Sequence, residues 1–502
     1  MVQSTLGPVR LDRDAETPLY LQLSEHIAAQ IRSQALSPGT KLPPTRELAS
    51  ELGLNRQTVS SAYEALASAG LVRSRVGHGT VVDGARAFSV RPSGVRFSKA
   101  VQALERVDRD FAPRSSHPDP IDFASLIPDE GLFPIEPFRQ VVDSVLERQG
   151  KELLQYGPVA GYPPLRAHIA ERLAARGVSV RAEHVQIVNG SQQALDLIFR
   201  ALLDPGDAVA VESPTYFVVL PALAQYQADV VPIPMTPTGM DLDALETTLA
   251  RRPLKLIYTM PTFHNPTGIS MGEDERRALV ALAERHQVNL VEDDFDADLR
   301  FDGDTLLPLK ALDRAELVLY IGTFSKGLFP GLRLGWVVAP EPIARVLGRV
   351  KRFSDYHTSL LLQAAVLEFA RLGHYDEHLK SLARVGHEKR KRLVDAMRRH
   401  FPKECTWTPP DGGHAFWLTL PDGVSSETLL SEGEREGVLF TPGTAFFVGG
   451  GGSLHLRLSI SRVSADRIDE GVRRLAAIVK RQMKALRSRS GASGVGEPVF
   501  HI

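Results

Sequence analysis

The strongest constraint on the fold is an alternation that begins near Ile121. Short apolar runs at 185–188, 208–212, 256–260, 290–292 and 317–321 are separated by stretches with helical spacing. Runs this short and apolar suit strands buried on both faces, and helices between them suit the crossovers that parallel strands require. The pattern predicts an α/β domain with a mostly parallel sheet over residues 119–488, closing with a smaller α+β subdomain. A chain of 502 residues is too long for one core, and its first eighty or so residues follow a different grammar.

In that first part, expected over 1–83, Leu19, Leu23, Ile27 and Ile31 fall four apart, the spacing of one helix face. Pro38-Gly39 ends this unit. A second helix follows Leu42-Pro43-Pro44, with Thr45 expected as its cap and Leu48, Ala49 and Leu52 turned inward. Gly53 makes a tight turn, and Asn55 is expected to cap a third helix that buries Val59, Ala62, Tyr63 and Leu66. The opposite face presents Arg56, Gln57, Ser60 and Ser61, which suit phosphates and base edges, and Thr58 is also expected at the DNA. Residues 71–82 read as a two-stranded wing turning at glycines, with Arg46, Arg73, Arg75 and His78 placed for the DNA backbone. Eight basic and eight acidic residues in 1–83 give no overall positive field, which suits a dimerisation module equally well.

Residues 84–118 carry seven basic against three acidic residues and several prolines. They read as a basic linker, with one short helix around 99–107. Residues 489–502 read as a loose tail. The formal net charge of −1 excludes global steering toward nucleic acid, and the single cysteine, Cys405, excludes an internal disulfide. Neither an apolar leader nor a membrane-length apolar run is evident, so a cytoplasmic protein is expected.

Four places in the second domain make chemical sense together. Asn189-Gly-Ser-Gln-Gln-Ala194 lies between a strand and a helix, where backbone N–H groups suit a phosphate near Ser191 and Gln192. Many strand-to-helix turns also hold Gly-Ser. Asp293 ends a buried strand, where a carboxylate needs a partner such as a protonated pyridine nitrogen; an ordinary acidic loop reads the same way. Lys326 sits in Gly322-Thr-Phe-Ser-Lys-Gly-Leu-Phe-Pro-Gly-Leu-Arg-Leu-Gly335. There desolvation and cationic neighbours promote the neutral amine that attacks an aldehyde, and Thr323, Ser325 and Arg333 suit a phosphate. Asn265, in His264-Asn-Pro-Thr-Gly268, carries an amide able to donate to a phenolate oxygen, and Asn-Pro is also a common turn.

Leu42-Pro-Pro-Thr-Arg-Glu-Leu-Ala49, Leu54-Asn-Arg-Gln-Thr-Val-Ser60, Ala62-Tyr-Glu-Ala-Leu66 and Gly77-His-Gly-Thr80 together closely resemble the DNA-binding domain of the GntR family. Residues from about 120 to 485 resemble the fold type I aminotransferases, which use pyridoxal 5′-phosphate. That resemblance implies a Schiff base on Lys326, Asp293 paired with the pyridine nitrogen and Asn265 bonded to the ring oxygen. It implies Ser191, Gln192, Thr323, Ser325 and Arg333 around the phosphate, and Tyr216 stacked on the ring. It further implies Tyr156 reaching a partner subunit's phosphate, and Arg457 binding a substrate or effector carboxylate. One departure is plain: where the family places a tyrosine on the acidic loop, this chain has Phe295 and Asp296. Phenylalanine cannot donate a hydrogen bond, which turns the site away from efficient transamination. His414 is either a pocket residue or a satisfied histidine beside a strand.

A winged helix-turn-helix joined by a linker to an aminotransferase-like domain resembles the MocR/GabR regulators. The resemblance implies a homodimer that binds double-stranded promoter DNA and senses a small amino compound, or the cofactor itself. A working aminotransferase carrying a DNA-binding module, and a cofactor-free scaffold, are the competing readings.

Overall fold

The computed structural model describes residues 18–32, 40–68, 71–75, 79–82, 97–107 and 117–492, with Val9, Leu11, Leu36, Pro113 and Ser115 besides. It contains two compact units, residues 1–97 and 98–502.

In the first unit, helices α1 (Leu19–Arg32), α2 (Thr45–Leu52) and α3 (Arg56–Ser68) precede an antiparallel hairpin of β1 (Val72–Arg75) and β2 (Gly79–Val82). Leu23, Ile27, Leu48, Val59, Ala62 and Leu66 form its core, the leucines, isoleucine and valine each contributing roughly 1.5–3 kcal/mol. Gly53 closes α2 at φ 61°, its N–H donating to the Ala49 carbonyl; this left-handed position explains the glycine. Asn55 caps α3 as expected, accepting the Gln57 N–H at 2.9 Å. Thr45 does not cap α2: Pro44 holds the N-cap position without a side-chain bond, and Thr45 is already helical. A proline there sets an extended approach, so the helix begins one residue earlier than a hydroxyl cap would place it.

The second unit begins with α4 (Lys99–Val107), the short helix expected in the linker. Its main sheet comprises β3 (Val185–Val188), β4 (Ala208–Ser213), β5 (Asp229–Thr236), β6 (Gly239–Met240), β7 (Leu256–Thr259), β8 (Asn289–Asp293), β9 (Val318–Thr323) and β10 (Gly335–Val338), in the order 3-10-9-8-7-4-5-6. The run 9-8-7-4-5 is parallel, while β10 lies antiparallel between β9 and β3. Two reversals at β10 restore the direction, so β3, β4, β7, β8 and β9 all end on one edge of the sheet. That edge is where open α/β sheets hold their ligands.

Helices α5 (Ser191–Leu202) and α6 (Val219–Gln225) follow β3 and β4, and α7 (Glu341–Arg352) packs on α5. Helix α4 packs on α6. A second layer begins with α8 (His374–His400), then β11 (Thr406–Trp407), β12 (Ala415–Thr419), β13 (Thr441–Pro442) and β14 (His455–Ser459), an antiparallel sheet ordered 11-12-14-13. Helix α9 (Ile468–Ala492) packs on α8 and runs four residues into the stretch read as a tail. Phe416, Leu418, Leu456, Leu458, Val472 and Leu475 make this smaller core. No helix among the described residues is long and apolar enough to cross a membrane.

Candidate functional site

A cavity of about 970 Å³ opens at the sheet edge. Ser191, Gln192, Tyr216, Asn265, Asp293, Thr323, Ser325, Lys326, Arg333 and Arg457 all line it, although they lie far apart in sequence. The topology explains the convergence: Asp293 ends β8, Thr323 ends β9, Asn265 follows β7, Tyr216 follows β4 and Ser191 opens α5 just after β3.

The α5 end of the cavity is built for an anion. Gly190 is the N-cap at φ 84° and carries no side chain, because a Cβ there would sit 2.8 Å from Arg333 Nη2. Arg333 donates to the Asn189 carbonyl at 3.1 Å and so holds its guanidinium against the helix start. The first N–H groups of α5, a guanidinium and the hydroxyls of Ser191 and Ser325 suit a phosphate, while the Thr323 hydroxyl donates to Ser325 Oγ at 2.9 Å.

At the opposite end Asp293 is buried. One oxygen accepts the Tyr258 hydroxyl at 2.9 Å; the other, Oδ1, is buried with no partner among the described residues. Burial pushes its pKa up to about 7, against the lowering effect of Tyr258. An orphaned carboxylate oxygen of this kind fits a ring N–H donor. Lys326 Nζ donates to the Leu126 carbonyl at 2.7 Å. Burial lowers the lysine's pKa, with Arg457 and Arg333 adding to the effect and Asp296 and Asp293 opposing it; the neutral, nucleophilic amine is thereby favoured.

Arg457 is 3% exposed. It donates to Asn265 Oδ1 at 3.0 Å, to Thr441 Oγ1 at 2.9 Å and to the Ala124 carbonyl, and stands 5.2 Å over the Phe446 ring. No ion pair to it occurs among the described residues, and burial lowers its pKa to about 10. A buried guanidinium without a carboxylate suits an incoming one. Because Asn265 accepts from Arg457 through its oxygen, its amide nitrogen is left to donate into the cavity. Tyr216 lines the wall, its hydroxyl pushed up to about 12 by burial.

Two residues stand elsewhere. Tyr156 is 84% exposed, outside the cavity, and meets Tyr356 and His357 edge-on at 5.6 and 5.9 Å. His414 does not line the cavity; its Nδ1 lies 3.1 Å from the buried Asp296. The satisfied histidine is therefore the reading that holds, with the acidic loop supplying its partner. Phe295 lines the cavity as a wall without a hydroxyl.

Reasoning from sequence missed several residues. Tyr258 is a polar residue inside an apolar strand, which is itself a signal. Glu212 and His264, both 1% exposed at the side chain, lie 3.1 Å apart, and Glu212 also accepts from Thr259 at 2.6 Å. This buried pair braces the segment that carries Asn265. Pro113 of the linker also lines the cavity, which nothing in the linker's composition indicated.

On the first unit, α3 turns Arg56 and Gln57 to solvent and leaves Thr58 and Ser60 half-buried, with Ser60 donating to Glu64 at 3.3 Å. Arg46 is exposed on α2. Arg73 and Arg75 lie on β1, and His78 falls outside the described residues.

Fold and cavity together define a pyridoxal-phosphate-binding domain attached to a helix-turn-helix. Comparison with known proteins agrees. The aminotransferase class I and II family model matches residues 121–475, and that of the gntR family of bacterial regulatory proteins matches residues 19–82. A probable rhizopine catabolism regulatory protein MocR from Rhizobium meliloti is 35% identical over 447 residues, covering 86% of this chain and 88% of its own. The uncharacterized HTH-type transcriptional regulator YdcR of Escherichia coli is 31% identical, covering 92% and 99%. The structure of LysN, the α-aminoadipate aminotransferase of Thermus thermophilus, complexed with N-(5′-phosphopyridoxyl)-L-leucine, superposes with a TM-score of 0.70 at 35% identity over 80% of this chain and all of its own. The chain belongs to the aminotransferase class I and II family, and within it to the MocR/GabR type that carries a gntR-family DNA-binding domain. Pyridoxal 5′-phosphate is the cofactor of this domain, and the cavity's donor set fits it.

Proposed function

We propose that this protein is a cytoplasmic, pyridoxal-phosphate-dependent transcription regulator. It binds double-stranded promoter DNA and senses an amino acid, an amine or the cofactor itself at Lys326. The observation that carries this reading is a cavity lined by Lys326 and the expected cofactor-binding residues other than Tyr156, on the same chain as a gntR-family DNA-binding domain.

The cofactor, when bound, supplies an aldehyde that condenses with primary amines. Lys326 would hold it covalently, with its Nζ turned from the Leu126 carbonyl toward the cavity. Asp293 Oδ1 would accept the ring N–H and stay ionised, and the Asn265 amide would donate to the ring oxygen. Tyr216 would cover the ring, while Ser191, Gln192, Thr323, Ser325 and Arg333 would bind the phosphate. Arg457 would orient an effector carboxylate. The exposure of Tyr156 suits a homodimer in which it reaches the other subunit's phosphate. Arg46, Arg56, Arg73, Arg75 and His78 would meet the DNA backbone, and Gln57, Thr58 and Ser60 the base edges.

The linker gives a physical route from cavity to DNA-binding unit: Pro113 touches the cavity, and α4 rests on α6, the helix that follows Tyr216. An effector acts only through different affinities for two arrangements. A working aminotransferase is the second reading, favoured by the retained His264-Asn-Pro-Thr-Gly268 string, whose Asn265 lines the cavity. The hydroxyl-free wall at Phe295 weighs against it. Lys326→Ala tests the shared premise: the visible absorption of the cofactor-loaded protein should disappear while the fold stays intact, and an unchanged spectrum refutes the assignment.

A further inference from the structure

Beneath the anion-binding turn lies an ion pair between a buried lysine and a half-buried aspartate, neither of which lines the cavity. Lys351, in the last turn of α7, is fully buried. Its Nζ donates to both oxygens of Asp355 at 2.8 Å and to Gln193 Oε1 at 2.9 Å. Asp355 Oδ2 also accepts the Asn189 side-chain amide at 2.5 Å and the Gln193 amide at 2.9 Å. Gln193 in turn accepts the Asn189 backbone N–H at 2.8 Å.

The turn needs such a brace. Gly190 sits in the left-handed region and α5 has no side-chain cap. Against glycine's freedom the turn has the Arg333 bond to the Asn189 carbonyl and the Asn189 N–H bond to Gln193, whose side chain Lys351 and Asp355 hold in place. Burying the Lys351 ammonium costs hydration unless a carboxylate and further acceptors meet it, and Asp355 and Gln193 do so here. The sign of the charges is also informative. A lone carboxylate under a phosphate site would repel the dianion, and an ammonium at 2.8 Å makes the pair nearly neutral.

We infer that Asp355, neutralised by Lys351, is a positioning residue that presets the Asn189-Gly190-Ser191 turn for the cofactor's phosphate. This rests on the cofactor reading above and adds to it the residues that set phosphate affinity from outside the cavity.

The test compares uptake of pyridoxal 5′-phosphate and of phosphate-free pyridoxal by apo-protein, followed by absorbance. Asp355→Ala should weaken pyridoxal 5′-phosphate about tenfold or more, the loss of one charge-assisted hydrogen-bond set, and leave pyridoxal uptake at the wild-type level. Asp355→Asn, which keeps an acceptor, should fall between. Should Asp355→Ala fail to fold around an unpaired Lys351, the double variant Lys351→Met with Asp355→Leu leaves no buried lone charge and should show the same selective loss. Wild-type affinity for the phosphorylated cofactor, or equal loss for both compounds, would overturn the inference. If the wild-type protein takes up neither compound, the cofactor reading itself fails, and this inference with it.

Discussion

Asp293 shows how one buried group governs the empty and loaded states differently. Its folded pKa stands near 7, raised from an ordinary 3.8 by burial. Between roughly pH 4 and pH 7 the unfolded chain therefore releases this proton while the folded apo-protein keeps it, so stability falls as pH rises through that window. A displacement of that size corresponds to roughly 4 kcal/mol at most. Asp293→Asn should remove that share of the slope: the apo variant gains on wild type in thermal midpoint as pH rises from 4 to 7. Glu292, also raised to about 7 by burial, contributes equally to both proteins and cancels. Parallel midpoint-versus-pH curves would contradict this account of Asp293. At this scale Lys326, Asp293 and Asn265 draw notice in the sequence by residue type and setting and Arg333 by its spacing from Lys326, whereas Arg457 and Tyr216 come only from the resemblance. Tyr258 was missed although a polar residue inside an apolar strand is a visible signal, and Leu126 leaves none, because it acts through its carbonyl.

Among elements, the buried parallel strands were legible from their apolar runs, and the three N-terminal helices from their four-residue spacing. The strand β10 (Gly335-Trp-Val-Val338) was not anticipated, because its antiparallel insertion between β9 and β3 depends on pairing partners far away in sequence. That strand restores β3's direction and thus brings the Gly190 turn to the same edge as Asp293, a fact no local pattern carries. The DNA-binding elements allow a separate prediction. Arg56 starts α3 and Arg75 ends β1, so the double change Arg56→Ala with Arg75→Ala should weaken promoter binding uniformly across sequences. The slope of log affinity against log salt should shrink by about 2, near one unit per lost phosphate contact. An unchanged slope would show that the DNA surface lies elsewhere.

For the molecule as a whole, the proposed sensing links two units through one equilibrium. The linker's composition predicted a helix at 99–107 but not where it packs. Its seat on α6 and the approach of Pro113 to the cavity arise from tertiary contacts. If effector binding at Lys326 changes DNA affinity by some factor, DNA must change effector affinity by the same factor, whatever the route between them. The most direct test measures promoter affinity of the cofactor-loaded protein across a series of amino acids and amines, alongside the cofactor's absorption spectrum, for wild type and Lys326→Ala. The compounds that shift the wild-type spectrum should be those that shift its promoter affinity, and Lys326→Ala should respond to none of them. A promoter response that survives in Lys326→Ala, or a spectral shift with no change at the promoter, would contradict the account.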